Sequence, residues 1–336
     1  MKIGILSSGG DCPGINAAIR GVGKTAVTHF NMEVIGIRDG FQGLLKKDYF
    51  PLDDHSLSGL LSLGGTILGT SREKPFRKLL NGDDHTKPQM IIDSYKELGL
   101  DCLVCIGGNG TQKTAYKLTQ LGLNVIGIPK TIDNDVWGTD TTFGFDSAVD
   151  IATEAIDRLH STASSHKRVI VIELMGHKAG WLTLFSGMAG GADVILIPEL
   201  GYNINKINEA ILSRLRKGKP YSIVAVAEGL DINRRNPATY ISQQIQIGTG
   251  IETRETILGY VQRGGSPSAF DRNLATRLGG SATELISKGE FNRMVCLHNE
   301  QIISLPLEKV AGRLKLVPPD HDMIIQGQRI GVSFGV

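Results

Sequence analysis

Cysteine is scarce in this chain, runs of like charge are missing, and no apolar stretch is long. Four cysteines occur among 336 residues, at Cys12, Cys102, Cys105 and Cys296. Cys102 and Cys105 have CxxC spacing, but the surrounding DCLVCIGG reads as a buried strand. Side chains three apart on a strand face opposite sides, which argues against a redox pair or a zinc knuckle and suits a reducing compartment. The net charge is +2, without the basic stripe of a nucleic-acid or membrane-surface protein. No segment reaches the ~20 apolar residues that span a bilayer. The opening MKIGILSSGG reads as a strand and turn, without a signal-peptide apolar region. A cytoplasmic protein with no nucleic-acid or membrane partner is the expectation. Neither the P-loop GxxxxGK[ST] nor the dinucleotide GxGxxG occurs, so the common NTPase and dehydrogenase sites lose support.

What is abundant is glycine, 42 residues, clustered after strand-like runs where backbone approaches a ligand or turns tightly. Apolar runs at 2–8, 33–38, 101–107, 124–129, 168–175, 192–197, 222–228 and 254–261 alternate with amphipathic stretches at 14–29, 88–98, 110–121, 144–162, 178–189, 204–217, 238–247 and 268–288. Strands apolar on both faces, separated by helices, predict parallel βαβ units. The fold class expected is α/β, as two interwoven Rossmann-like lobes with mainly parallel sheets and a cleft between them. One lobe takes residues 1–137 plus a segment at about 250–300, and the other takes 138–250 plus the C-terminal tail. Ligands of such sheets lie beyond the carboxyl ends of the strands.

Three motifs fall at those ends. Ser8-Gly9-Gly10-Asp11-Cys12-Pro13-Gly14 and Gly107-Gly108-Asn109-Gly110-Thr111 each join a strand to a helix. Such turns aim backbone N–H groups at an anion with help from the helix dipole, although a plain tight turn has the same composition. The third is Pro129-Lys130-Thr131-Ile132-Asp133-Asn134-Asp135. It sets a cation, a hydroxyl and two carboxylates together, enough to hold a phosphate and deprotonate an alcohol. The plain alternative is an Asx-type turn.

SGGDCPGINAAIRG, GGTILGTSR, GGNGT, PKTIDND, ELMGHKAGW and LGYVQRGGSP occur in the order seen in the phosphofructokinase family, which the chain resembles over roughly residues 1–290. The resemblance implies ATP-driven, Mg²⁺-dependent transfer of a phosphoryl group to the 1-hydroxyl of fructose 6-phosphate. It makes Asp133 the base, with Thr131, Asp135 and Arg72 positioning and stabilising the transferring group. Gly10, Arg72, Glu73, Gly107, Gly108, Asn109, Gly110 and Thr111 match the donor site. Thr131, Ile132, Asp133, Met175, Gly176, His177, Glu228, Tyr260, Val261, Gln262 and Arg263 match the sugar-phosphate pocket. Arg168 and Arg254 match arginines that reach that pocket from a neighbouring subunit, implying a homo-oligomer, a tetramer in the family.

Departures from the family pattern carry information. Asn109 stands where many relatives place a Mg²⁺-holding aspartate, and an amide is a poorer ligand for a hard cation. His177 replaces a common arginine, and Tyr260 a common histidine. Relatives using pyrophosphate tend to carry aspartate at position 110 and lysine at 130, whereas those using ATP tend to carry glycine at both. With Gly110 and Lys130 the chain is a hybrid. Gly110 leaves room for the ATP α-phosphate and favours ATP, with pyrophosphate the alternative and a catalytically silent sugar-phosphate sensor the third reading. Arg20, Lys24, Asp193, Lys217 and Lys219 match an effector site. Asp54 and His160, in places often held by arginine, imply weak effector control.

Overall fold

The computed structural model describes residues 1–79, 82–83, 86–232 and 235–336. In chain order its strands are β1 (Lys2–Ser8), β2 (Glu33–Ile37), β3 (Tyr49–Pro51), β4 (Lys78–Leu79), β5 (Gly82–Asp83), β6 (Cys102–Gly107) and β7 (Val125–Pro129). They continue with β8 (Val169–Leu174), β9 (Val194–Leu196), β10 (Ser222–Ala227), β11 (Thr253–Ile257), β12 (Arg293–His298) and β13 (Gln301–Pro306). The helices are α1 (Ile15–Lys24), α2 (Phe41–Lys46), α3 (Thr86–Glu97), α4 (Asn109–Gln120), α5 (Phe145–His166) and α6 (Trp181–Ala189). After them come α7 (Ile204–Arg216), α8 (Pro237–Thr249), α9 (Ala269–Ser287), α10 (Leu307–Val310) and α11 (Asp322–Arg329).

The chain divides into two units. Met1–Thr131, Val136–Asp146 and Arg263–Leu314 form the first. Ile132–Asp135, Ser147–Gln262 and Lys315–Val336 form the second. The first holds a seven-stranded sheet in the order β13-β12-β7-β6-β1-β2-β3, with antiparallel pairs only at its two edges. Its central strands are buried along their length, as their apolar sequences require. α1 and α9 cross at close range: a side chain at Gly21 or Gly279 would press on the backbone of the facing helix. The second unit holds a parallel four-stranded sheet, β11-β8-β10-β9, over a core that includes Val171, Val224, Ile207 and Ile241.

The structure differs from the sequence reading in local ways. The run expected as a strand over 254–261 stops at Ile257. Gly259 adopts φ +60°, and Gly259–Arg263 winds into a 3₁₀ turn. β11 pairs with β8, so the chain returns to the first unit at Arg263 rather than near residue 250. The helix expected over 178–189 starts at Trp181, after a turn in which the Ala179 N–H donates to the Gly176 carbonyl. α1 ends at Lys24 and continues as a π turn over Thr25–His29.

Candidate active site

The first glycine turn follows β1 and is tied from three sides. From below comes Lys130, one residue past β7 and only 2% exposed. Its ammonium donates to the Ser8 carbonyl at 3.1 Å and to the Gly10 carbonyl. These carbonyl dipoles replace part of the water that a lysine so buried has given up. From the side, the Gly9 N–H donates to Ser71 O at 3.0 Å, and the Thr70 hydroxyl donates to Gly9 O at 2.7 Å. This carries exposed Arg72 past the turn, while Glu73 pairs with Lys87 at 2.7 Å. Arg263 closes the third side. Its Nη1 donates to Asp11 O at 3.0 Å and would stand 2.6 Å from any Cβ at residue 10. A side chain at residue 10 would therefore displace the end of Arg263 from the turn. Cys12 is buried within the turn, and burial pushes its thiol pKa up to about 12.

The second turn follows β6. Buried Gln112 donates to the carbonyls of Gly107 at 2.8 Å and Ile128 at 3.1 Å, fixing the turn against β7. Gly108 caps α4, and the Thr111 hydroxyl donates to Ser8 O at 3.3 Å, joining the two turns. A Cβ built on Gly110 meets nothing within 4 Å. The first-turn N–H groups of α4 have no partners within the helix and suit an anion. Gly10, Arg72, Gly107, Gly108, Asn109, Gly110, Thr111, Lys130 and Arg263 are thus gathered in one unit.

Beyond Lys130 the loop turns sharply. Thr131 O accepts from the Thr142 hydroxyl at 2.8 Å, Ile132 is buried, and Asn134 takes φ +51° between Asp133 and Asp135. Both carboxylates are largely buried, at 9% and 5% exposure. They are hard-oxygen donors of the kind that share a Mg²⁺ with substrate phosphates. Among the described residues no group of three or more His, Cys, Asp or Glu could hold a metal by itself.

In the second unit Met175, Gly176, His177, Glu228, Tyr260, Val261 and Gln262 follow the carboxyl ends of β8, β10 and β11, whereas Arg168 and Arg254 lie at the amino ends of β8 and β11. Glu228 accepts from the backbone of Gly176 at 3.2 Å and of His177 at 2.8 Å. Gln262, fully buried, accepts from Met175 N–H at 3.2 Å and donates to Gly259 O at 3.0 Å. His177 and Val261 are exposed, and Tyr260 is 74% exposed. Arg168 and Arg254 meet on one carboxylate: Glu252 lies 3.4 Å from the first and 2.8 Å from the second. A carboxylate gripped by two guanidinium groups occupies the kind of place a phosphate would take.

Several residues of note were not singled out by the sequence reading. Glu173 on β8 is buried, accepting from Asn236 Nδ2 at 3.2 Å and Ala238 N–H at 3.0 Å, and burial raises its pKa. Nothing in a run such as VIVIEL says that its glutamate meets a helix start more than 60 residues away. Lys315, Glu252 and Arg214 were likewise unmarked.

The residues expected at an effector site are divided. Arg20 and Lys24 lie in the first unit; Asp193, Lys217 and Lys219 lie in the second. Asp54 does not stand as a lone repelling charge but pairs with Lys24. Asp193 pairs with Arg214 at 2.8 Å, and His160 Nε2 lies 2.7 Å from Gly190 O.

A sequence profile described as Phosphofructokinase matches residues 2–286. A protein of Bacteroides thetaiotaomicron named ATP-dependent 6-phosphofructokinase 3 is 67% identical over the full length of both chains. One of Spirochaeta thermophila named ATP-dependent 6-phosphofructokinase is 53% identical, covering 99% of this chain and 97% of that one. Among solved structures, phosphofructokinase from Saccharomyces cerevisiae superposes with a TM-score of 0.82 at 33% identity, over 92% of this chain and 45% of that one. Pyrophosphate-dependent phosphofructokinase from Marinobacter aquaeolei does so with a TM-score of 0.85 at 25% identity, over all of this chain and 93% of that one. With sheets, strand-end loops and motifs in agreement, this chain is a member of the phosphofructokinase family.

Proposed function

We propose that the protein transfers the γ-phosphoryl group of ATP to the 1-hydroxyl of fructose 6-phosphate, giving fructose 1,6-bisphosphate in glycolysis. The names of its full-length relatives support the donor and the acceptor. The structural observation that carries the reading is the bracing of the two glycine turns in the first unit, where Lys130 donates to the Ser8 carbonyl and the Thr111 hydroxyl joins the second turn to the first. The turns offer fixed N–H groups to the donor phosphates, and Gly110 leaves space beside them. Arg72 lies on the strand of chain next to the first turn and supplies positive charge to the transferring group. Asp133 accepts the hydroxyl proton, while Thr131 and Asp135 position the reacting groups. Asp133 and Asp135 would help hold a Mg²⁺ that arrives with the nucleotide, where it would neutralise phosphate charge.

On the acceptor side, Glu228, Met175, Gly176, His177, Gln262 and Arg263 hold the sugar phosphate, and Tyr260 and Val261 line its approach. The Arg168–Arg254 pair is assigned to the 6-phosphate of a neighbouring copy, which makes a homo-oligomer, a tetramer, the working form. Four free, buried cysteines suit a cytoplasmic enzyme. Replacing Asp133 by Ser tests the reading: turnover should fall by roughly 10²–10⁴ with substrate binding kept. Unchanged turnover would remove Asp133 as the base. One observation favours a second donor, because Lys130 is the lysine expected of pyrophosphate users. Its ammonium, however, faces the Ser8 and Gly10 carbonyls and acts on a donor through the turn. Initial rates with each donor decide: faster turnover with pyrophosphate than with ATP would reverse the assignment.

A further inference from the structure

The C-terminal tail of the second unit makes an unusual set of contacts with the acidic loop. The antiparallel bridge between Val136 and Leu314 is followed by a hydrogen bond from Lys315 N–H to Asp135 O at 2.9 Å. The Lys315 ammonium donates to Asn134 Oδ1 at 2.8 Å and stands 5.2 Å from the centroid of the Trp181 ring. The Lys315 carbonyl accepts from Trp181 Nε1 at 2.8 Å. Two residues on, Val317 N–H donates to Glu199 at 3.0 Å, and the same carboxylate accepts from Gly180 N–H at 2.9 Å. The tail is thus pinned at both flanks, and its lysine donates to Asn134 of the loop.

That residue is the conformationally costly one. Asn134 holds φ +51°, a left-handed region that disfavours L-residues and that asparagine tolerates better than most. It lies between the two carboxylates, so a rotation at Asn134 re-aims both. We infer that Lys315 is a positioning residue for the phosphoryl-transfer loop, holding Asn134 in its left-handed turn so that the Asp133 carboxylate keeps its line to the acceptor hydroxyl. The inference rests on Asp133 being the base. The effect of Lys315 belongs to turnover rather than to substrate affinity, since misplacement by an ångström can cost about 10²-fold in rate.

The test uses the full-length protein. Lys315→Met keeps the backbone bonds and an apolar stem beside Trp181 but removes the ammonium. Its kcat should fall at least about tenfold, with KM for both substrates within about threefold and Tm little changed. Lys315→Arg, able to donate to Asn134 and stack on Trp181, should restore most of the rate. Asn134→Gly removes the partner while keeping the left-handed turn accessible. It should lower kcat as well, and the double variant should lose less than the product of the single losses. Wild-type kcat in Lys315→Met, a loss confined to KM, or fully multiplicative losses in the cycle would each overturn the role of Lys315. Should Lys315→Met fail to fold, Asn134→Gly with wild-type kcat overturns it instead. Turnover kept by Asp133→Ser overturns the base assignment separately, whatever Lys315→Met does.

Discussion

At the strand ends of the first unit the glycine-turn backbone is braced by buried side chains, whereas the second unit presents exposed side chains. Around β1 and β6 the carbonyls of Ser8, Gly10 and Gly107 are each occupied by a buried polar side chain. The N–H groups left over are fixed before any ligand arrives. After β8 and β11, His177 and Tyr260 project outward, and Glu228 pins the backbone of Gly176 and His177; Arg254, near the start of β11, is exposed and pairs with Glu252. A backbone cradle recognises what every phosphate donor shares and tolerates little change beneath it. A side-chain pocket can be retuned one residue at a time. Two of this chain's departures from its family, at His177 and Tyr260, fall on the adjustable side.

Removing the buried brace should break this contrast most severely. Lys130→Met leaves two carbonyls without their charged donor, and charge-assisted bonds are worth about 1.5–3 kcal/mol each. Denaturant unfolding should show a loss of about 3 kcal/mol, and kcat/KM for ATP should fall while KM for the sugar phosphate holds. Unchanged stability would mean that the turn needs no brace. Next in size is Gly110→Asp. With open space around position 110 the fold should be unaffected. ATP use should nevertheless drop roughly 10²-fold through charge and bulk at the donor, with pyrophosphate use affected much less. Equal losses with both donors would show that position 110 does not choose between them.

On the adjustable side, Arg254→Ala should raise KM for the sugar phosphate by roughly tenfold and shift stability by less than about 0.5 kcal/mol, since the arginine is exposed. A collapse of stability instead would make the Arg168–Glu252–Arg254 cluster structural. Smallest is the effect of Glu173. Its pKa is raised by burial, so the folded state holds its proton more tightly than the unfolded state. The associated stability is full below the ordinary value of about 4.5 and is lost as pH rises through the raised value. Unfolding midpoints of Glu173→Gln followed over about pH 4–7 should lack that decline. Parallel curves for the two proteins would refute it.

The alternation of buried strands and helices was legible because apolar runs such as KIGILSS and DCLVCIG are bounded by glycine turns, and both are strands here. The Gly259–Arg263 turn was less so, because LGYVQR has strand-like residues and only the positive φ of Gly259 ends the run. Motif order located the glycine turns and the acidic loop. What the residues do to one another was out of reach. A lysine after a strand ordinarily points to water; Lys130 is buried because the Ser8 and Gly10 carbonyls, some 120 positions earlier, converge on it. Lys315 sits in a tail without any motif, and its partners Asn134 and Trp181 lie 181 and 134 positions away.

Cys12 gives the first turn one more property. Thiolates, not thiols, react with peroxide and alkylating agents. This thiol stays protonated, lies against the Phe143 carbonyl at 3.7 Å, and is walled by Gly144, where any side chain would run into the sulfur. The first glycine turn therefore carries a cysteine at its centre with no handle for oxidation. Inactivation by a thiol reagent should follow the rate at which this turn opens, so labelling of Cys12 becomes a clock for local unfolding.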